Sequence, residues 1–168
     1  MMNKKAFTLI EMLTVVMIIG ILTAVVLPQY RRAIQKAQAT EAIAMLRVIN
    51  DSGERLASEF GYKTFKSFAT DPTDKDKATF RKMDMFDEST IACDIVGGYT
   101  LACEHFHYYL NGNDGQFNYI SAVKQNNPYS GTEIRLYWGD MPQLKCAGNA
   151  DACDLYNLTC EGNKCNED

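Results

Sequence analysis

Four groups of side chains in this 168-residue chain are of types that can do chemistry. Glu11 is a lone carboxylate inside an apolar run. His105 and His107 stand two apart, the spacing that puts two imidazoles on one face of a strand, where they could hold a metal. Asp71, Asp74 and Asp76, and more weakly Asn111, Asn113 and Asp114, gather oxygen ligands of the kind calcium takes. Six cysteines (Cys93, Cys103, Cys146, Cys153, Cys160 and Cys165) all lie beyond residue 92.

Most of these patterns stop short of a reactive site. No third and fourth ligand accompanies the histidines at a telling spacing, so two surface imidazoles are the simpler reading. Neither oxygen cluster follows the alternating loop that ends in a bidentate Glu, and calcium stays an open alternative to having no cofactor. The tail cysteines include no C-x-x-C pair, which counts against zinc. No elbow glycines surround a Ser or Cys, and there is no phosphate-cradling loop, so no enzyme is expected. Asn157-Leu158-Thr159 matches a glycosylation sequon, a pattern common by chance. The cysteines, even in number and confined to one half, read instead as a disulfide framework in an oxidising compartment.

Charge is distributed unevenly along the chain. Residues 1–60 carry a balance of +2 and residues 61–168 a balance of −6, together the net −4. An acidic distal part argues against non-specific nucleic-acid binding, which needs clustered basic side chains.

Glu11 is the group that demands an explanation. From Phe7 to Leu27 it is the single charge, and Met12 to Leu27 has none. About 20 apolar residues suffice for a helix to cross a bilayer core, and Lys4 and Lys5 ahead of the run keep the N-terminus cytoplasmic. A carboxylate within such a span costs roughly 2.5–3.5 kcal/mol and marks function by default. A cleavable secretory signal would need a small-residue site after the apolar core, for which Thr23 and Ala24 are a poor match. A plain anchor gives no reason for Glu11.

The segment Lys4-Lys5-Ala6-Phe7-Thr8-Leu9-Ile10-Glu11, followed by the unbroken apolar run, resembles the N-terminal signal of type IV pilins and type II secretion pseudopilins. That resemblance implies cleavage by a prepilin peptidase between Ala6 and Phe7 and N-methylation of Phe7. It also implies retention of the helix, first as anchor and then as filament core. The family usually has Gly where Ala6 stands here. Glu11 becomes the fifth residue of the mature chain, placed to face the amino group of Phe7 on a neighbouring subunit; pairing the two charges is what a low dielectric requires. Gly20 and Pro28 fall where pilin helices have their weak section, because Gly lowers helix propensity and Pro frees the Ala24 carbonyl.

Beyond Pro28, apolar positions Ile34, Ala37, Met45, Val48, Ile49, Leu56 and Phe60 recur at three- and four-residue steps, predicting one apolar helix face up to a stop at Gly61. A helix from Phe7 to Phe60 would be about 80 Å long. Residues 61–92 read as a variable loop, with one or two helical turns over Ala78–Phe86. Strands are expected over Tyr99–Cys103, Phe106–Leu110, Phe117–Val123 and Glu133–Trp138, with a hairpin turn at Asn111–Gly115. Residues 141–168 have little apolar periodicity and need staples in place of a core. Gly97-Gly98 can turn the chain so that Cys93 meets Cys103, closing a loop of about 10 residues that stabilises by about 3 kcal/mol. The four tail cysteines are expected to pair among themselves, in a connectivity that spacing does not choose.

The expected architecture is α+β: a long N-terminal helix packed on an antiparallel sheet of about four strands, with a disulfide-rich C-terminal loop region. Its parts are a leader (1–6), a transmembrane or filament-core segment (7–29), the amphipathic half of the same helix (30–60) and a globular head (61–168). The expected function is a structural subunit, major or minor, of a type IV pilus, held in the bacterial inner membrane before assembly and in an extracellular or periplasmic filament afterwards. Its expected partners are the prepilin peptidase, an inner-membrane assembly platform, and copies of itself or related pilins. The alternatives are a pseudopilin of a secretion or DNA-uptake system and, in another class, a membrane-tethered binding protein that never polymerises.

Overall fold

The computed structural model describes residues 8–84, 92–111, 118–138 and 142–166. The expected turn at Asn111–Gly115, including Asn113 and Asp114, lies largely outside them, as do Ala6 and Phe7. The chain divides into two compact units, residues 1–37 and residues 38–168.

Helix α1 spans Leu9–Glu59 and contributes to both units. It runs through Gly20 and Pro28 without a break. Its end is built as the sequence suggests. Gly61 takes φ +81°, its N–H donates to the Ser58 carbonyl (3.0 Å), and the Tyr62 N–H donates to the Ala57 carbonyl (3.0 Å). These two bonds form the Schellman pattern that satisfies carbonyls at a helix end.

In the second unit α1 buries Ala39, Ala42, Leu46, Ile49, Ser52, Gly53, Leu56 and Ala57. This stripe differs from the predicted one. Ile49 and Leu56 are in it, whereas Val48 and Phe60 are 36% and 39% exposed. The reason is size: small residues let the helix approach its neighbours closely. A Cβ at Gly53 would stand 3.0 Å from the Phe65 ring.

The connection over residues 61–84 is more ordered than a variable loop. Helix α2 (Phe65–Thr70) opens on a capping box between Thr64 and Ser67, and 3-10 turns follow at Lys75–Lys77 and Phe80–Lys82. Phe65, Phe68 and Phe80 are fully buried, so aromatic side chains pin the segment to the core. Arg55 and Ser52 of α1 both bind the Asp84 carboxylate and hold its pKa at about 2.

Among the described residues the sheet has seven strands where about four were expected: β1 (Asp94–Val96), β2 (Thr100–Ala102), β3 (Phe106–Tyr109), β4 (Tyr119–Lys124), β5 (Glu133–Tyr137), β6 (Gln143–Asn149) and β7 (Cys160–Asn166). They lie side by side in chain order. The first six form an antiparallel meander; β7 returns through helix α3 (Ala150–Leu155) to pair parallel with β6. One cross-strand row, Ile95, Leu101, Tyr108, Ala122, Ile134 and Cys146, is buried throughout and carries the core. The tail is therefore the end of the sheet and not a loop. Its period was hidden because Lys145, Gly148 and Asn149 break the alternation of β6, while β7 has no strong strand former at all.

On the other side of β5, Arg135 binds Glu133 (2.9 Å from Nε) and Glu161 of β7 (2.6 Å from Nη1), and it stacks 4.6 Å over Tyr119. Tyr137 donates to the same Glu161. A nearly buried guanidinium is thus paired twice, as burial requires, and it ties the last strand back across β6.

Lys124 is the exception to paired burial. It is 1% exposed, donates to Gln38 Oε1 (2.7 Å) and sits 5.1 Å over the Phe106 ring, with burial lowering its pKa. A lowered folded-state pKa means that the unfolded chain holds the proton more tightly. Stability should therefore rise as pH climbs from the folded value towards 10.5. Lys124→Met is expected to fold at least as stably as the native chain at pH 7 and to lose that alkaline rise. Thermal melts of both proteins in detergent between pH 7 and 10.5 check it; parallel pH profiles would contradict it.

Candidate functional site

The first unit presents a helix whose described apolar run is exposed. Every described residue from Thr8 to Arg32 is exposed, including Leu9 (79%) and Ile10 (71%). The helix is long and apolar enough to cross a membrane. Two hydroxyls within its apolar run are satisfied by the helix backbone. Thr14 and Thr23 donate to the carbonyls of Ile10 (2.8 Å) and Ile19 (2.7 Å), which spares both hydroxyls an unpaired state in an apolar medium. At Gly20 an added Cβ would meet nothing within 4 Å, so packing within this chain does not require that glycine.

Glu11 already has a partner at the start of α1. The Thr8 N–H and the Thr8 hydroxyl both donate to Glu11 Oε2, each at 2.8 Å, and the Glu11 N–H donates back to Thr8 Oγ1 (3.3 Å). This is a capping box, with Thr8 just before the first helical residue and Glu11 at the third helical position. Helix N-termini leave N–H groups unpaired and carry partial positive charge, so the cap offsets part of the cost of the carboxylate. The signal was present in the sequence as Thr-x-x-Glu ahead of an apolar run. Reading Glu11 only as half of an intermolecular pair missed it.

Comparison with known proteins bears on the same segment. Residues 1–27 match the family model described as the prokaryotic N-terminal methylation motif. This N-terminal stretch is similar to those of type IV pilins. Over 59 residues it is 39% identical to a fimbrial protein of Pseudomonas aeruginosa, a match covering 35% of this chain and 38% of that protein. It is 43% identical over 51 residues to the type IV major fimbrial protein FimA of Dichelobacter nodosus (30% of this chain, 29% of the relative). It is 50% identical over 42 residues to the type IV major pilin protein PilE1 of Neisseria gonorrhoeae (25% of this chain, 26% of the relative). The chain thus spans well under half the length of the pilins it matches. No solved structure matches it.

The remaining candidates lie in the head of this pilin-like chain. Disulfides join Cys93 to Cys103, Cys146 to Cys153 and Cys160 to Cys165, so each tail bond closes a short local loop. Cys146 and Cys153 are part of the core, which the reading of the tail as coreless did not foresee. His107 lies on β3, but His105 falls in the bend before it and contacts Asn126 through Nδ1 (3.3 Å), so the two do not share a strand. Asp71 accepts the Thr73 N–H (2.8 Å), and Asp74 accepts from Lys77 (2.7 Å) and Tyr62 (2.9 Å), which lower its pKa in that order. Among the described residues no three His, Cys, Asp or Glu side chains are grouped to hold a metal ion.

Thr8→Val removes the hydroxyl while leaving the apolar run intact, and should cost the first turn about 1 kcal/mol. In micelles, amide exchange at Leu9–Glu11 should accelerate several-fold, and Thr8→Ser should restore protection. Unchanged exchange in Thr8→Val would show that the cap does not hold the turn.

Proposed function

We propose that this protein is a structural subunit of a type IV pilus. A prepilin peptidase processes it between Ala6 and Phe7 and methylates Phe7, and the mature chain polymerises through α1. The reading is carried by one conjunction: a methylation motif over residues 1–27 coincides with an apolar helix that is exposed among the described residues. An unpartnered apolar surface of this length needs lipid or other helices around it. Lipid serves the precursor in the inner membrane, and neighbouring α1 helices serve the filament, as co-polymers with copies of itself or related pilins. In that setting Glu11 exchanges its cap on Thr8 for a pair with the Phe7 amino group of a neighbour, and the weak points at Gly20 and Pro28 let the helix adjust. The head, with its disulfides, faces the exterior, and the chain's role is structural, not catalytic. A pseudopilin of a secretion or DNA-uptake system would use the same N-terminus and differ in filament length and abundance.

Mass spectrometry of the membrane and sheared-filament fractions should find a mature N-terminus at methylated Phe7. A terminus near Val25, as a standard signal peptidase would leave, would overturn the reading. Abundance in the sheared fraction separates a pilus subunit from a pseudopilin.

Glu11→Ala should leave a stable, membrane-anchored monomer and reduce sheared filaments at least tenfold. Normal filament yield from this variant would remove Glu11 from assembly.

A further inference from the structure

The two tail disulfides are packed against each other. Cys153 Sγ lies 3.7 Å from Cys165 Sγ, although the two belong to different bonds. With all four sulfurs oxidised there is no S–H between them, so this is a sulfur–sulfur contact. The other two cysteines are also neighbours: Cys146 on β6 and Cys160 on β7 are register partners in the parallel pair. Adjacent strands run about 4.8 Å apart, within the Cα separations of about 4.4–6.8 Å that a disulfide bridges. The fold therefore brings the four cysteines together in two compatible ways: the local pairing, 146–153 with 160–165, and an interleaved pairing, 146–160 with 153–165.

Accessibility gives the exchange a direction. Cys146 and Cys153 are 0% and 2% exposed, so a thiol in solvent does not reach their bond. Cys160 is exposed and Cys165 partly so. We propose that the tail is a thiol-exchange cluster, in which a low-molecular-weight thiol opens the outer disulfide and Cys165 relays the exchange to the buried one.

The steps balance with no net oxidation. The external thiolate attacks Cys160 Sγ, forming a mixed disulfide and releasing the Cys165 thiolate. Cys165 attacks Cys153 Sγ, forming 153–165 and releasing the Cys146 thiolate. Cys146 then attacks Cys160 Sγ, forming 146–160 and expelling the external thiolate unchanged. Two S–S bonds are present before and after. The consequence is mechanical. In the local pairing β7 closes a loop on itself through Cys160–Cys165, whereas the interleaved pairing staples β7 to β6 and to α3 by two covalent links.

The test uses the full chain, folded in detergent, incubated at pH 8 with and without a small amount of reduced glutathione, then acid-quenched and mapped without reduction. Peptides joining Cys146 to Cys160 and Cys153 to Cys165 should appear only with glutathione, while Cys93–Cys103 persists. Local pairs alone after the treatment overturn the proposal, and so do links from Cys93 or Cys103 to the tail, which would mean general scrambling. A second variant keeps the test independent of kinetics. Cys146→Ser with Cys160→Ser leaves Cys153 and Cys165 as thiols; oxidised glutathione, itself reduced to two thiols, should join them and bring the protein's free-thiol count from two to none. Two free thiols in a variant that retains Cys93–Cys103 would also overturn the proposal.

Discussion

A carboxylate in an apolar helix must have a partner, and much of this molecule follows from where Glu11 finds one. Within the chain the partner is the start of its own helix, where Thr8 supplies an N–H and a hydroxyl. That cap offsets part of the cost of the carboxylate, but it leaves the described apolar surface of α1 from Leu9 to Leu27 exposed. In the proposed cycle the same carboxylate serves two states: capped on its own helix in the membrane, and paired with a neighbour's amine in the filament. The two partners differ in kind. A cap worth about 1 kcal/mol is easily exchanged, whereas a charge pair in low dielectric is costly to break once formed.

The head meets a different constraint, which is to hold a sheet whose last strands have little apolar material. The row from Ile95 to Cys146 supplies the core for six strands. The seventh is held by other means: Arg135 and Tyr137 reach Glu161, and a disulfide ties α3, the helix that leads into it, to β6. Covalent and ionic ties replace hydrophobic burial where the sequence offers none. On α1 the corresponding adjustment is steric, with Ala39, Ala42, Gly53 and Ala57 trading side-chain volume for close approach.

These constraints explain how much was legible in the sequence. The apolar run, Glu11, the Gly61 stop and the middle strands are local signals written in composition and period, and they could be read directly. The buried face of α1 was half legible, because a periodicity search favours large residues and overlooks the small ones that make contact possible. Strands β6 and β7 were not legible: Cys160-Glu161-Gly162-Asn163-Lys164-Cys165-Asn166 has no strand pattern, and only pairing with β6 makes it one. The same holds for Arg135 and Glu161, 26 residues apart, whose partnership exists only once β7 has turned back through α3. The Thr8–Glu11 cap was legible in principle, since its four-residue signature is local.

The central claim is that Glu11 changes partner when the chain assembles. A cryo-EM reconstruction of sheared filaments, at a resolution that shows side chains, measures this directly. The account predicts the Glu11 carboxylate within about 4 Å of the Phe7 amino group of an adjacent subunit, an ion-pair distance in a medium of low dielectric. Glu11 still folded onto its own Thr8, with no neighbouring amine in reach, would contradict it.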